Sequence, residues 1–170
     1  MISAAQNKKT IGIKFFLPVT LGLLLVLMFR LPLRVEVLGM YMPFVSLIFV
    51  YYWVLNGRGY VPFGLVFLIG LFEDMVTLGP VGLNSIILLA VAAGLVNQRR
   101  FFINQSFIVG WAGFCIICIG AIVFRWLLES LYVSNFLSIW PLVSQAIITM
   151  IFYPILGAIF GSLRKKLKTR

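Results

Sequence analysis

Residues 106–128 read SFIVGWAGFCIICIGAIVFRWLL, an apolar run whose one charge, Arg125, lies near its end. As an α-helix rising about 1.5 Å per residue it would cover roughly 34 Å. About 20 mainly apolar residues are enough to cross the hydrocarbon core of a bilayer. The run is continuously apolar rather than alternating, which excludes the strands of a porin-like barrel. It reads as a transmembrane helix. Working outward, comparable runs lie at about 15–33, 40–55, 60–76, 80–97 and 139–163.

Composition supports the same reading for the whole chain. Of its 170 residues 62% are hydrophobic and 11% charged, against about a quarter charged in a typical soluble domain. Mean hydropathy is +1.11. That leaves too little polar surface to coat a water-facing core, so a soluble enzyme, a secreted disulfide domain and a sizeable extramembrane domain are excluded. The expectation is an all-α integral membrane protein, a six-transmembrane-helix bundle forming one polytopic domain over residues 1–170. The first run follows Lys8, Lys9 and Lys14 like a signal peptide, but no A-x-A site follows it, so it reads as an uncleaved span.

Charge placement orients the bundle. Six spans put Lys8, Lys9, Lys14, Arg58, Arg99, Arg100, Arg164, Lys165, Lys166, Lys168 and Arg170 on the side shared by both termini. Arg30, Arg34 and Arg125 fall on or near the other side. By the positive-inside rule both termini are cytoplasmic. Trp53 and Trp111 then fall near the inner interface, and Trp126 and Trp140 near the outer one, where amphipathic rings sit at headgroup level. The same placement, at chain ends and in short loops, disfavours nucleic acid as the partner of the net charge of +10.

With no histidine, chemistry has to work with the four acids Glu36, Glu73, Asp74 and Glu129. Asp74 lies roughly 21 Å along its span from Tyr60, near the outer turn Thr77-Leu78-Gly79-Pro80. Adjacent helical residues point about 100° apart, so Glu73 and Asp74 cannot face one partner together; one is expected to snorkel outward. Arg125, roughly 28 Å along its span, is the expected counter-charge. Glu129 follows it at i+4, a spacing that brings side chains together. Asn84, Ser144 and Gln145 are expected at similar depth. The favoured reading is a structural network that fixes helix packing; the alternative is a ligand or proton site.

Other features read as packing. Gly157 and Gly161, at i and i+4, would clear a helix face. Gly70 and Gly64 in the third span, and Gly110, Gly113 and Gly120 in the fifth, read likewise. Pro18, Pro62 and Pro154 are expected to kink their helices and free backbone groups for neighbouring helices to satisfy. Cys115 and Cys118 sit in an apolar span, where a redox C-x-x-C has no suitable context. The Arg164–Arg170 cluster reads as a topology anchor attracted to anionic membrane lipids. No P-loop, H-E-x-x-H or G-x-S-x-G motif is present, so no catalytic residue, cofactor or metal is expected.

The segment 43–85 reads PFVSLIFVYYWVLNGRGYVPFGLVFLIGLFEDMVTLGPVGLNS. Pro43 opens an apolar span ending in Tyr52-Trp53; Gly70-Leu71 and Asp74 follow in the next; a small-residue turn leads through Gly79 to Gly82-Leu83. In these residues, about a quarter of the chain, it resembles the bacterial rod-shape-determining MreD family, with Glu73 as an addition that leaves open which acid has the main role. The resemblance implies a fold similar to the substrate-binding subunits of energy-coupling-factor transporters. It also implies a non-enzymatic inner-membrane component of cell-wall elongation. Its expected partners are MreC and, indirectly, MreB, RodA and a class B penicillin-binding protein. The alternative reading is a small-molecule-binding transporter subunit, with Asp74, Asn84 and Arg125 lining an outward pocket; an intramembrane enzyme is a weaker third.

Overall fold

The computed structural model describes residue 24 and residues 42–56, 62–77, 79–102, 106–135 and 138–168. Five α-helices run through them: α1 (Val45–Asn56), α2 (Phe63–Thr77), α3 (Leu83–Phe102), α4 (Phe107–Val133) and α5 (Trp140–Lys168). Among the described residues there is no strand. Apart from Leu24, the run expected at 15–33, with Pro18 and Arg30, lies outside them, as do Arg34, Glu36 and Arg58. Two helical stretches, Phe107–Val133 and Trp140–Ser162, are long and apolar enough to cross a membrane by length and composition.

The short helix α1 is the core. It is apolar all round, as a helix surrounded by others must be, and Phe44, Leu47, Ile48 and Tyr51 are fully buried. It packs against α2, α3 and α5. Its Tyr51 ring meets Phe114 of α4 edge-on at 5.1 Å and Tyr153 of α5 at 5.6 Å. Phe114 and Tyr153 stack on each other at 4.3 Å. The Tyr51 hydroxyl donates to the Gly110 carbonyl at 2.7 Å, so the buried phenol is satisfied.

The peripheral helices bury one face each. On α2 the buried residues are Val66, Ile69, Gly70, Glu73 and Asp74, a stripe at 3.6-residue spacing that includes both acids. Phe63, Phe67, Leu68 and Met75 are exposed on the opposite side. On α4, Gly113, Phe114, Cys118, Ala121 and Ile122 face inward, and Ile108, Ile116, Ile119, Val123 and Leu127 outward. On α5, Ile147, Ile151, Ile155 and Ile159 form an exposed row with four-residue spacing.

Two prolines behave differently. Pro62 precedes α2, and its carbonyl accepts the Leu65 and Val66 N–H groups at 2.9 and 3.4 Å. It starts the helix instead of kinking it, because the N–H it lacks has no partner in a first turn. Pro154 lies inside α5. With no N–H of its own it leaves the carbonyl four residues back, that of Met150, without its usual donor. The Trp111 indole of α4 donates to that carbonyl at 3.2 Å. Helix α4 continues to Val133, past the expected end of its span, and is closed by Ser134 in the left-handed region at φ 54°.

Candidate functional site

The end of the bundle where α1 and α3 begin collects the buried polar groups. Asp74, in the last turn of α2, is 1% exposed. Its Oδ2 accepts the Gly82 N–H at 2.8 Å and its Oδ1 accepts the Asn84 N–H at 3.0 Å. These donors belong to the start of α3, where the first N–H groups of a helix have no intrahelical acceptor. A carboxylate there also meets the positive end of the helix dipole. The turn that aims the donors passes through Gly82 at φ +96°, a conformation side-chain-bearing residues rarely adopt.

This differs from the expected Asp74–Arg125 pairing. Arg125 turns to its own helix, where Nε donates to Glu129 Oε1 at 2.7 Å. Its Nη1 reaches Gln145 Oε1 at 3.4 Å, and its guanidinium carbon stands 5.9 Å from the Phe44 ring centroid. Proximity decides: Glu129 is one helical turn away, while the Asp74 oxygens already receive backbone donors. The expected outward snorkelling of one acid is also corrected, since Glu73 is 1% exposed like Asp74. The two carboxylates diverge, Glu73 accepting the Ser46 hydroxyl of α1 while Asp74 serves α3.

A second set fastens the start of α1 to α5. Gln145 Nε2 donates to the Met42 carbonyl at 3.0 Å, and Thr149 Oγ1 accepts the Phe44 N–H at 2.9 Å. The Thr149 hydroxyl donates in turn to the Gln145 carbonyl at 2.6 Å. All these groups are buried, where a missing partner would cost about 1–3 kcal/mol. The two sets meet at the first turn of α1, through Phe44 and Ser46.

Asn84 joins the cluster by its backbone; its side-chain Oδ1 is buried without a hydrogen-bond partner among the described residues. Ser144 stays apart, donating to the Trp140 carbonyl of its own helix at 3.0 Å. Among the described residues no group of three His, Cys, Asp or Glu is placed to hold a metal. The arrangement satisfies helix ends and joins α1 to α2 and α5, and α2 to α3.

The glycines divide. A Cβ on Gly70 would lie 2.4 Å from the Ser85 Cα and 2.6 Å from its N, so α2 and α3 touch backbone to backbone there. The Ser85 hydroxyl donates to the Phe67 carbonyl beside that contact at 3.1 Å. Gly161 faces the Tyr52 hydroxyl, which would stand 3.7 Å from a Cβ added there, whereas a Cβ on Gly157 would meet none of the described residues within 4 Å. Among the described residues, the expected packing face of Gly157 and Gly161 has a neighbour at Gly161. Among the described residues, a Cβ on Gly79 would meet the Thr77 hydroxyl of its own turn, at 3.6 Å.

Sequence reading missed Ser46 and Thr149, whose hydroxyls carry two of the contacts, and the pairing of Trp111 with the Met150 carbonyl. For the last the signal was available: an intrahelical proline frees the carbonyl four residues back, and an indole can only donate. A family model described as rod shape-determining protein MreD matches residues 8–163. No curated protein and no solved structure matches the chain.

Proposed function

Since the chain belongs to the MreD family of rod shape-determining proteins, we propose that it is a multi-pass inner-membrane scaffold of the cell-wall elongation machinery. On this reading it is non-enzymatic and holds partner transmembrane helices. MreC is the direct partner; MreB, RodA and a class B penicillin-binding protein are reached through the assembly. Six spans with both termini cytoplasmic, and a likeness to the substrate-binding subunits of energy-coupling-factor transporters, belong to the same proposal.

The family match over residues 8–163 is the observation that carries it. The chemistry of the cluster supports it. Both Asp74 oxygens, the Gln145 amide and the Thr149 hydroxyl are engaged by the chain's own groups, as in a network that fixes helix geometry. The outward faces of α4 and α5 are apolar. In lipid, helices associate by close packing and interhelical hydrogen bonds rather than by the hydrophobic effect. A bundle held internally by Asp74, Gln145 and Thr149 leaves those outer faces for neighbouring helices.

Affinity purification of the tagged chain from its host in mild detergent, with identification of what accompanies it, tests the reading. Recovery of MreC and elongation proteins supports it. Recovery of transporter subunits, or of a bound vitamin-sized molecule, would replace it with the transport reading.

A further inference from the structure

The exposed apolar surface of the bundle is not equally tall on every side. On α4 it runs from Ile108 to Leu131, and on α5 from Trp140 to Ile159. Along the helix those bands measure roughly 34 and 28 Å, close to or above the about 30 Å hydrocarbon core of a bilayer. On α2 the exposed apolar residues run only from Phe63 to Met75, roughly 18 Å. The exposed side of α3 starts at the turn of Val81 and Gly82, carries Ile86 and Ala90, and gives way to exposed Asn97 and Gln98. From Gly82 to Asn97 it rises roughly 22 Å.

The short bands coincide. Asp74 accepts the Gly82 N–H, and the Phe67 carbonyl accepts the Ser85 hydroxyl. Counted from these contacts, Phe63 lies level with about Ala92, so the band of α2 falls within that of α3 and Asn97 bounds both. Helix α2 packs on α1 and α3, and α5 on α1 and α4, so the short and tall bands belong to different sides of the core helix. The acids of α2 do not interrupt its band, because Glu73 and Asp74 are buried. A full-thickness core beside α2 and α3 would draw Asn97 and Gln98 into hydrocarbon, and a bilayer relieves such a mismatch by thinning.

We propose that the α2–α3 face is an interaction surface for a locally thinned bilayer and selects phospholipids with short acyl chains. The inference rests on the reading of the chain as a membrane protein and not on its partners. A partner helix crossing the full core would overhang this face by roughly 8 Å, whereas acyl chains can shorten to fit it.

The test uses the full chain in a Cys115→Ser background, reconstituted in an equimolar mixture of dimyristoleoyl and dioleoyl phosphatidylcholine. A fluorophore is attached at Leu68→Cys in mid-α2 or at Ile119→Cys in mid-α4, both exposed positions, while Cys118 is buried. Each lipid is brominated in turn and its quenching compared. The α2 label is expected to be quenched about threefold more by the shorter lipid, the order set by a modest cost per ångström of mismatch; the α4 label is expected to show no such preference. Replacing Asn97 and Gln98 by Leu lengthens the band and is expected to abolish the preference at α2. Equal quenching ratios at the two labels, or an undiminished preference in the Leu variant, would overturn the proposal. So would an α2 label that neither lipid reaches while the α4 label is quenched, since protein would then cover that face. Quenching at neither label would overturn the membrane reading with it, whereas loss of MreC from a purification would leave the lipid result standing.

Discussion

Gly70→Ala adds one methyl group at the point where α2 and α3 touch. The new carbon would sit 2.4 Å from the Ser85 Cα, against about 3.5–4.0 Å for an ordinary carbon contact. The obstacle is backbone, so the helices have to part by roughly 1 Å or more. Asp74 lies one turn further along α2, and its bonds to Gly82 and Asn84 span 2.8 and 3.0 Å. A shift of that size carries them to the edge of hydrogen-bonding distance or beyond it. Overpacking costs about 1–3 kcal/mol, and weakening a hydrogen bond to a charged group adds about 1.5–3 kcal/mol. Helix propensity returns only about 0.5–1 kcal/mol. The net loss is about 2–5 kcal/mol, or a fall in midpoint of roughly 5–15 °C for a chain this long. Cys118 is fully buried and supplies the assay: in a Cys115→Ser background, a thiol-reactive dye reports unfolding in detergent. Gly120→Ala is the control, since a Cβ there meets none of the described residues within 4 Å. Melting of Gly70→Ala at the control's temperature would refute the close approach of α2 and α3.

Three further substitutions probe the hydrogen bonds. Asp74→Asn keeps the shape but turns an amide donor toward one of two N–H groups, and is expected to cost about 1.5–3 kcal/mol in the same melting assay; an unchanged midpoint would remove Asp74 as the cap of α3. Thr149→Val strands the buried Phe44 N–H and is expected to cost about 1–3 kcal/mol, whereas a neutral result would mean that α1 does not depend on α5 for its start. Trp111→Phe leaves the Met150 carbonyl without its donor. In a Pro154→Ala background, where the helix can supply an N–H, the loss is expected to be smaller by about 1 kcal/mol; additive effects would dissolve the pairing.

How far the sequence could be read depended on what each signal reports. Helix α4 was plain because a run of apolar residues with a single charge has few alternatives. The burial of both Glu73 and Asp74 on one stripe of α2 was not read, because treating the acids as needing one shared partner sent one of them outward, whereas each finds its own on a different helix. Pro62 was misread because a proline's effect depends on whether its position is the first turn or the interior, which a few residues of uncertainty at a helix boundary conceals. The partner of Asp74 was missed for another reason. Reading side chains as charges points an acid to the nearest arginine, whereas the groups that reach Asp74 are backbone N–H donors that no residue letter announces. The Gly79–Gly82 turn was the available hint, since a reversal there brings the start of α3 back beside the end of α2. Ser46 and Thr149 carried no such hint: hydroxyls in apolar runs are common, and only the packing of α1 against α2 and α5 gives these two a partner.

The assembly reading is tested most directly by replacing the host's own copy with an Asp74→Leu allele, and scoring cell shape together with the amount of MreC recovered on the purified chain. Rounded cells and diminished MreC are the predicted result. Rod-shaped cells, with MreC recovered at the wild-type level from an equal quantity of protein, would contradict the claim that the internal fastening of this bundle is what makes it a scaffold.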